Sequence, residues 1–449
     1  MPKAVTQRSS ALVNHYSDRM ILAYRYGSLV LAALGAVWAV VFSLVGWWWV
    51  VALDFAIIAC GLSIYWLIRI GHLTFGLLLA QVAIIAICLI MALLIDPPSV
   101  NGPRVTHIYL LVVAALGYLN YQRDGSRVQL SLIGFCLLAF IVLSSASLSS
   151  HALIEMPDWL RLGGTWFNSF VATSMLAGCI YVMQAEFNRK DRTSRELMAA
   201  LWNGEFHLVY QPQVDGDGMV IGAEALLRWN SPKRGLVSPA EFIPEAESLG
   251  LMIPIGNWVL EKGCSTLAAW DSIPGLRHLT LSVNVSADQL MDKGFVEQVR
   301  ETLITTGAKP QKLTLELTES ILVSEVEQVI ERLRELHEMG MTIALDDFGT
   351  GYSSLSYLRR LPIQMVKIDR SFVQDATSGQ ASASLVGNVV AMAQDLGLEV
   401  IAEGVETREQ HALMAGFGCA KFQGYLYGRP VPLADFESRA GDKALTTGD

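Results

Sequence analysis

Six carboxylates in the C-terminal half of the chain, Glu224, Glu316, Asp346, Asp347, Asp369 and Glu403, fall inside or at the end of short apolar runs. The runs read Ala-Glu-Ala-Leu, Leu-Glu-Leu-Thr-Glu-Ser, Ala-Leu-Asp-Asp-Phe-Gly, Lys-Ile-Asp-Arg and Ile-Ala-Glu-Gly. Taken singly, each reads as a surface charge or a helix cap: Glu319 with Ser320 can start a helix, and Asp346-Asp347 can form a turn with Gly349. A coincidence of five or more at strand ends points to a shared site. Like charges so close raise one another's pKa unless cations intervene, and hard divalent ions held by carboxylate and amide oxygens resolve the repulsion. Asn284, in Val-Asn-Val-Ser, supplies such an amide. Lys367, in Met-Val-Lys-Ile, is a cation that needs partners if buried. Pointed into an acidic mouth, it finds them and can orient or deprotonate a water on such an ion; alone, it reads as a structural ion pair. The loop 347–354, Asp-Phe-Gly-Thr-Gly-Tyr-Ser-Ser, suits either a mobile lid or a tight turn.

The elements that must position these groups alternate between strand-type and helix-type runs. Strands are predicted at 206–214, 219–229, 279–285, 313–317, 342–345, 365–368, 399–402 and 422–426, with helices between them, as at 255–270, 326–339 and 383–396. About eight strands with intervening helices fit a (β/α)8 barrel, in which parallel strand C-termini converge on one mouth. An open doubly wound sheet is the alternative, but no glycine-rich dinucleotide fingerprint follows the first strand.

The segment from about Glu196 to Phe436 closely resembles the EAL domain, the cyclic di-GMP phosphodiesterase module. Glu224-Ala225-Leu226 carry the name, and the match continues through Tyr-Gln-Pro at 210–212, Asn-Val-Ser at 284–286 and Glu-Leu-Thr-Glu-Ser at 316–320. Asp-Asp-Phe-Gly-Thr-Gly-Tyr-Ser-Ser at 346–354, Lys-Ile-Asp at 367–369, Ala-Glu-Gly-Val-Glu at 402–406 and Gln-Gly-Tyr at 423–425 complete it. The resemblance implies an eight-stranded barrel that hydrolyses cyclic di-GMP to linear pGpG with two Mg2+ or Mn2+ ions. It implies that Glu224, Asn284, Glu316 and Asp346 ligate one ion, that Asp346 bridges to a second also bound by Asp347, and that Glu403 reaches the second ion or its water. It also implies that Lys367 contacts the attacking water, that Gln211, Arg228 and Gln423 contact substrate with Glu406 in support, and that Glu319 holds the lid containing Gly349 and Gly351. A homodimer through the barrel is expected, with 353–360 as its first candidate interface. Every expected group is present, which favours an enzyme over a nucleotide receptor. No Gly-Gly-Asp-Glu-Phe occurs, so synthesis of the nucleotide is not expected.

The N-terminal half differs in kind. The whole chain is 52% apolar and 17% charged with a net charge of −9, yet residues 1–195 carry +5 and the remainder −14. The acidic balance argues against duplex nucleic acid as a partner. Apolar runs at 26–46, 49–69, 73–95, 105–121, 128–148 and 163–185 approach the roughly 20 residues that a transmembrane helix needs, and no cleavable signal peptide is expected before them. With six spans and the N-terminus inside, eleven Lys and Arg fall on the inner side against Arg104 and Arg161 outside, so both termini and the barrel are expected in the cytoplasm, at a bacterial inner membrane. Trp47, Trp48 and Trp49 suit the first outer interface. Asp54 reads as an interfacial, solvated carboxylate one turn beyond them, and His72, His107 and His151 as interfacial histidines rather than haem or metal ligands. The cysteines, Cys60, Cys88, Cys136, Cys179, Cys264 and Cys419, form no cluster and read as buried thiols in a reducing compartment.

The expected organisation is thus a cytoplasmic segment at 1–25, a six-span bundle at 26–185, a short connecting helix at 186–202, the barrel at 203–440 and a tail at 441–449. Three functions stand against one another: a membrane-anchored phosphodiesterase, a membrane receptor that binds the nucleotide without hydrolysing it, and a bundle with its own transport or redox activity regulated by the barrel.

Overall fold

The computed structural model describes residues 18–70, 73–96, 104–145, 157–318, 321, 326–348 and 358–441. The chain divides into two compact units, Met1–Arg189 and Lys190–Asp449.

The first unit is helical. Its helices are α1 (Asp18–Val45), α2 (Trp48–Arg69), α3 (Leu73–Ile90, prolonged by a π turn over Met91–Ile95), α4 (Tyr109–Asp124), α5 (Arg127–Ser145) and α6 (Asp158–Trp202). Five of these are long and apolar enough to cross a membrane. The 16-residue α4 is shorter than a full span requires. Small residues let α1 and α2 meet closely: a Cβ on Gly61 would stand 2.7 Å from the Ser28 carbonyl oxygen.

Four expectations about this half are corrected. The short helix expected at 186–202 is the end of α6, because no breaker interrupts the run until Gly204, whose φ of +69° stops it. The unit boundary falls inside that helix. Asp54 is not solvated but fully buried, since α2 turns it toward the bundle. Arg161, expected in a loop, lies in the first turns of α6 and is buried. His107 is likewise buried, stacked on Phe140 at 5.1 Å between ring centroids. His72 and His151 lie outside the described residues. All six cysteines are free.

The second unit is a closed barrel. Its strands are β1 (Phe206–Asp215), β2 (Val220–Ser231), β3 (Gly235–Val237), β4 (Thr280–Asn284), β5 (Leu313–Thr318), β6 (Thr342–Phe348), β7 (Met365–Ile368), β8 (Glu399–Ala402) and β9 (Lys421–Gln423). The ring runs β1-β9-β8-β7-β6-β5-β4-β2 and closes through β1–β2, leaving β3 as an edge strand on β2. Seven ring strands are parallel, but β1 is antiparallel to both neighbours. The all-parallel expectation fails there because β1 and β2 are joined by a hairpin, which only antiparallel strands accommodate. Asp215 builds that turn, accepting from the Asp217 and Met219 N–H groups at 3.0 and 2.9 Å, with Gly218 at φ +80°. The three-residue β3 was not anticipated; it is too short to carry a period-two pattern.

Alternation along the strands separates site from core. Leu315 and Leu317 of β5, Val366 and Ile368 of β7 and Val400 of β8 join one apolar cluster with Leu333, Leu336, Val386 and Val390 of the surrounding helices Val326–Glu338 and Gln380–Asp395. Burying each such side chain contributes roughly 1.5–3 kcal/mol. The intervening positions, Thr314, Glu316 and Lys367 among them, face the barrel interior, where polar groups collect.

Candidate active site

Because seven ring strands run parallel, their C-terminal ends share one mouth. Asn284 is the last residue of β4, Asp346 and Asp347 lie near the end of β6, Gln423 ends β9, and Glu403 follows β8 with its N–H bonded to the Ile368 carbonyl at 3.1 Å. Register aligns them further: Asn284 pairs with Glu316, Thr318 with Asp346, and Gln211 of β1 lies opposite Glu224 of β2.

Lys367 is the centre of this arrangement. It is 1% exposed, and its Nζ lies 2.5 Å from Glu403 Oε1, 2.7 Å from Glu316 Oε2, 3.4 Å from Glu224 Oε2 and 3.5 Å from Asp346 Oδ1. Burial by itself lowers its pKa, but the carboxylates of Glu224, Glu316, Glu403 and Asp346 more than reverse this and hold the ammonium charged well above the ordinary range. The carboxylates diverge in response. Burial, together with Glu224, Asp346 and Glu403, holds Glu316 well above its usual value despite Lys367. Burial and the neighbouring charges likewise push Glu403 up to about 8. Burial raises Glu224 too, yet Lys367 and hydrogen bonds from Gln423 and Asn284 outweigh it and hold that carboxyl low. Those bonds are short, 2.6 Å from Gln423 Nε2 and 2.7 Å from Asn284 Nδ2.

Asp347 occupies the left-handed region at φ +55°. That conformation is uncommon outside glycine and favours Asp and Asn where it does occur. Its amide donates back to Asp346 Oδ1 at 2.9 Å, and burial, then Asp346 and Asp369, raises its pKa. Carboxylate oxygens of Asp346, Asp347 and Glu403 lie within 4.8 Å of one another. One ammonium serves at least four carboxylates, and Glu316 Oε1 is buried without a hydrogen-bond partner. A buried, unpartnered carboxylate oxygen in an over-acidic, amide-flanked mouth is the donor chemistry of hard divalent cations. The residues therefore fit such ions: Asp346, Asp347 and Glu403 bring carboxylate oxygens within 4.8 Å of one another, beside Glu224, Asn284 and Glu316.

The mouth opens into a cleft of about 210 Å3 lined by Gln211, Glu224, Asp346, Glu403, Glu406 and Gln423. Gln423 also donates to Gln211 Oε1 at 3.2 Å, and Gln213, which was not anticipated, donates to Gln423 Oε1 at 3.0 Å and fixes its amide orientation. Alternation on β1 was the available signal for Gln213, since it stands two residues after Gln211. Arg370 and Tyr425 also line the cleft; Arg370 pairs with Glu406 at 2.6 Å, and Tyr425 stacks under Arg429, 4.3 Å from ring centroid to guanidinium. Arg228, two strand positions beyond the cleft-lining Leu226, is half-buried and donates to the Leu227 carbonyl at 2.8 Å. Asp369 behaves as the plainer expectation had it: it caps the helix Arg370–Ala376, accepting from the Ser371 N–H at 2.9 Å. Glu319, Gly349, Gly351 and most of 353–360 lie outside the described residues.

Comparison with known proteins agrees with this geometry. Over 251 residues the chain is 40% identical to the bifunctional diguanylate cyclase/cyclic di-GMP phosphodiesterase MucR of Pseudomonas aeruginosa, covering 56% of this chain and 36% of MucR. Over 329 residues it is 42% identical to the cyclic di-GMP phosphodiesterase NbdA of the same organism, covering 73% of this chain and 39% of NbdA. The chain thus spans well under half the length of these curated relatives. The solved phosphodiesterase domain of MucR in complex with c-di-GMP aligns with a TM-score of 0.52 at 40% identity, covering 55% of this chain and 99% of that one. Residues 194–430 match the EAL domain, which is more than half of the chain, and with the barrel and acidic mouth in place, the chain belongs to the EAL-domain family.

Proposed function

We propose that the chain is a membrane-anchored phosphodiesterase that hydrolyses cyclic di-GMP to linear pGpG, lowering this second messenger and so affecting motility and biofilm signalling. The observation that carries the proposal is the convergence of Glu224, Glu316, Asp346 and Glu403 within 3.5 Å of one buried ammonium. Such a cluster is costly unless it serves cations and chemistry. Two divalent cations, Mg2+ or Mn2+, held there supply Lewis acidity and the positive charge that a phosphodiester needs beside so many carboxylates.

The protein's own groups divide the remaining work. Gln211 and Gln423, each braced by a neighbouring glutamine, present amides to the substrate, and Arg228 offers a planar fork to phosphate. Glu406 supports this wall by fixing Arg370. Lys367, held charged by four carboxylates, orients the attacking water by donating to it and is not the group that removes its proton. Glu403, pushed up to about 8 in the metal-free mouth, must give up its proton before it can hold a cation. The membrane bundle anchors the barrel at a bacterial inner membrane with both termini in the cytoplasm, and barrel domains pair as a homodimer.

Full-length protein in detergent with Mg2+ or Mn2+ should convert cyclic di-GMP to pGpG. Absence of turnover with both metals overturns the proposal. A receptor would keep its cellular output after Glu224→Ala or Glu403→Ala, whereas the enzyme loses it.

A further inference from the structure

The helical unit carries a site that barrel chemistry does not use. Asp54 lies about 9 Å into α2, counting 1.5 Å per residue, and is 0% exposed. Both of its carboxylate oxygens are buried without a hydrogen-bond partner. A buried acid in a span this apolar marks function by default. Asp54 lines a cavity of about 120 Å3 formed by α1, α2, α3, α6 and the segment leading into α4.

The other charges on that wall are accounted for. Asp96 Oδ2 accepts from the N–H groups of Val105 and Thr106 at 2.8 and 3.0 Å and from the Thr106 hydroxyl at 3.2 Å, and Arg161 stands close enough to act on it. Asp54 is therefore the carboxyl on that wall left without a hydrogen-bond partner. Opposite chemistry is also in place. Trp38 and Phe42 stack at 5.3 Å, and Trp38 is held by its Nε1 donating to Asn168 Oδ1 at 3.3 Å. Gly164 makes room for that indole, since a Cβ there would come within 2.9 Å of the ring. A carboxyl beside fixed aromatic surfaces in a cavity lined mainly by apolar groups attracts a cation with an apolar body, by ion pairing and by the ring quadrupole.

We propose that this cavity binds an organic ammonium ion, its cationic head on Asp54 and its apolar body against Trp38 and Phe42. The adjoining cavity shares Leu31, Leu34, Ile84 and Tyr109 with it and holds Gln81, whose amide nitrogen and oxygen are also buried and unpartnered, so a longer amine has room to extend.

The test is calorimetric titration of the full chain in lipid nanodiscs with 4-phenylbutylammonium and with the uncharged 4-phenylbutanol, each corrected against protein-free nanodiscs. The amine should bind saturably to one site per chain, and the alcohol at least about tenfold more weakly. Asp54→Asn, close in shape, should weaken the amine by about thirtyfold or more, the effect of removing one partner of a buried charge pair, and leave the alcohol unchanged. Equal binding of amine and alcohol, no amine binding above the protein-free discs, or full affinity in folded Asp54→Asn overturns the proposal. The amine–alcohol comparison needs only the unaltered chain and stands even where the variant does not fold.

Discussion

At the scale of single residues, the mouth is governed by competition for one ammonium. Lys367→Met leaves Glu224, Glu316, Asp346 and Glu403 facing one another, and breaking a buried ionic network of this kind costs roughly 3–5 kcal/mol. The metal-free variant should unfold at a lower temperature than the parent, and divalent cations should restore more stability to it than to the parent; equal cation effects would contradict the role given to Lys367. Removing a supporting group around a metal typically costs 10- to 100-fold, so Glu316→Gln, which removes a proposed direct ligand, should reduce turnover by more than about 100-fold while the barrel stays folded by circular dichroism.

The pH dependence follows from the same competition. The folded pKa of Glu403, about 8 against an ordinary 4.5, is raised, so the metal-free fold takes up a proton there and loses stability as pH rises from about 4.5 to about 8. Glu224 is held low, so its contribution runs the other way and is lost as pH falls below the ordinary carboxylate range. Metal ligands must be deprotonated. Cation binding at pH 7 should therefore release protons, and apparent affinity should climb between pH 6 and 8. Titration calorimetry in buffers of different ionisation enthalpy reads this directly, and the release should shrink in Glu403→Gln.

At the scale of elements, the site depends on how strands hand over to helices. The turn after β8 is tied by a capping box: Thr407 accepts from the Gln410 N–H at 3.2 Å, and Gln410 Oε1 accepts from the Glu406 and Thr407 N–H groups at 2.7 and 3.1 Å. Thr407→Ala should cost about 1 kcal/mol of barrel stability and loosen the wall that carries Glu403 and Glu406. Gly424 shows the same coupling more severely. A Cβ there would stand 2.1 Å from the Val405 carbonyl oxygen and 2.3 Å from its nitrogen, both backbone atoms that cannot swing aside. Gly424→Ala should therefore push the segment after β9 away from β8, displace Gln423 from Glu224, lower the melting temperature and reduce turnover together. Unchanged turnover alongside a lowered melting temperature would separate fold from site.

At the scale of the whole molecule, a weakly basic helical unit is joined to a strongly acidic barrel unit. The proposed topology, with both termini on the side where basic residues of the connecting segments concentrate, needs the 16-residue α4 as a sixth crossing beside the five helices long and apolar enough to span a membrane. The chain should remain in the membrane fraction after alkaline carbonate extraction. A C-terminal green fluorescent protein fusion should be fluorescent and a C-terminal alkaline phosphatase fusion inactive; active phosphatase would place the barrel on the wrong side.

Much of the barrel and its mouth was legible in the residues themselves. Period-two apolar runs locate Glu224, Glu316 and Lys367 on strands, because a carboxylate or ammonium at an inward position stands out between Ala, Leu, Val and Ile. Strand-end positions add Asn284, Asp346, Asp347 and Glu403, and the family resemblance supplies Gln423. What the residues could not convey depends on neighbours distant in sequence. The hairpin reverses β1; Gln213 matters only because ring closure brings β1 beside β9; Asp369 caps a helix while Glu403, in a similar local setting, faces Lys367. Asp54 makes the point most sharply. Its position one turn from three tryptophans suggested water, whereas packing of α1 against α2 buries it unpaired. Local pattern determines which face of an element a side chain occupies, but only the packing of elements decides what that face meets, and for a charged group the identity of that partner sets both its energy and its use.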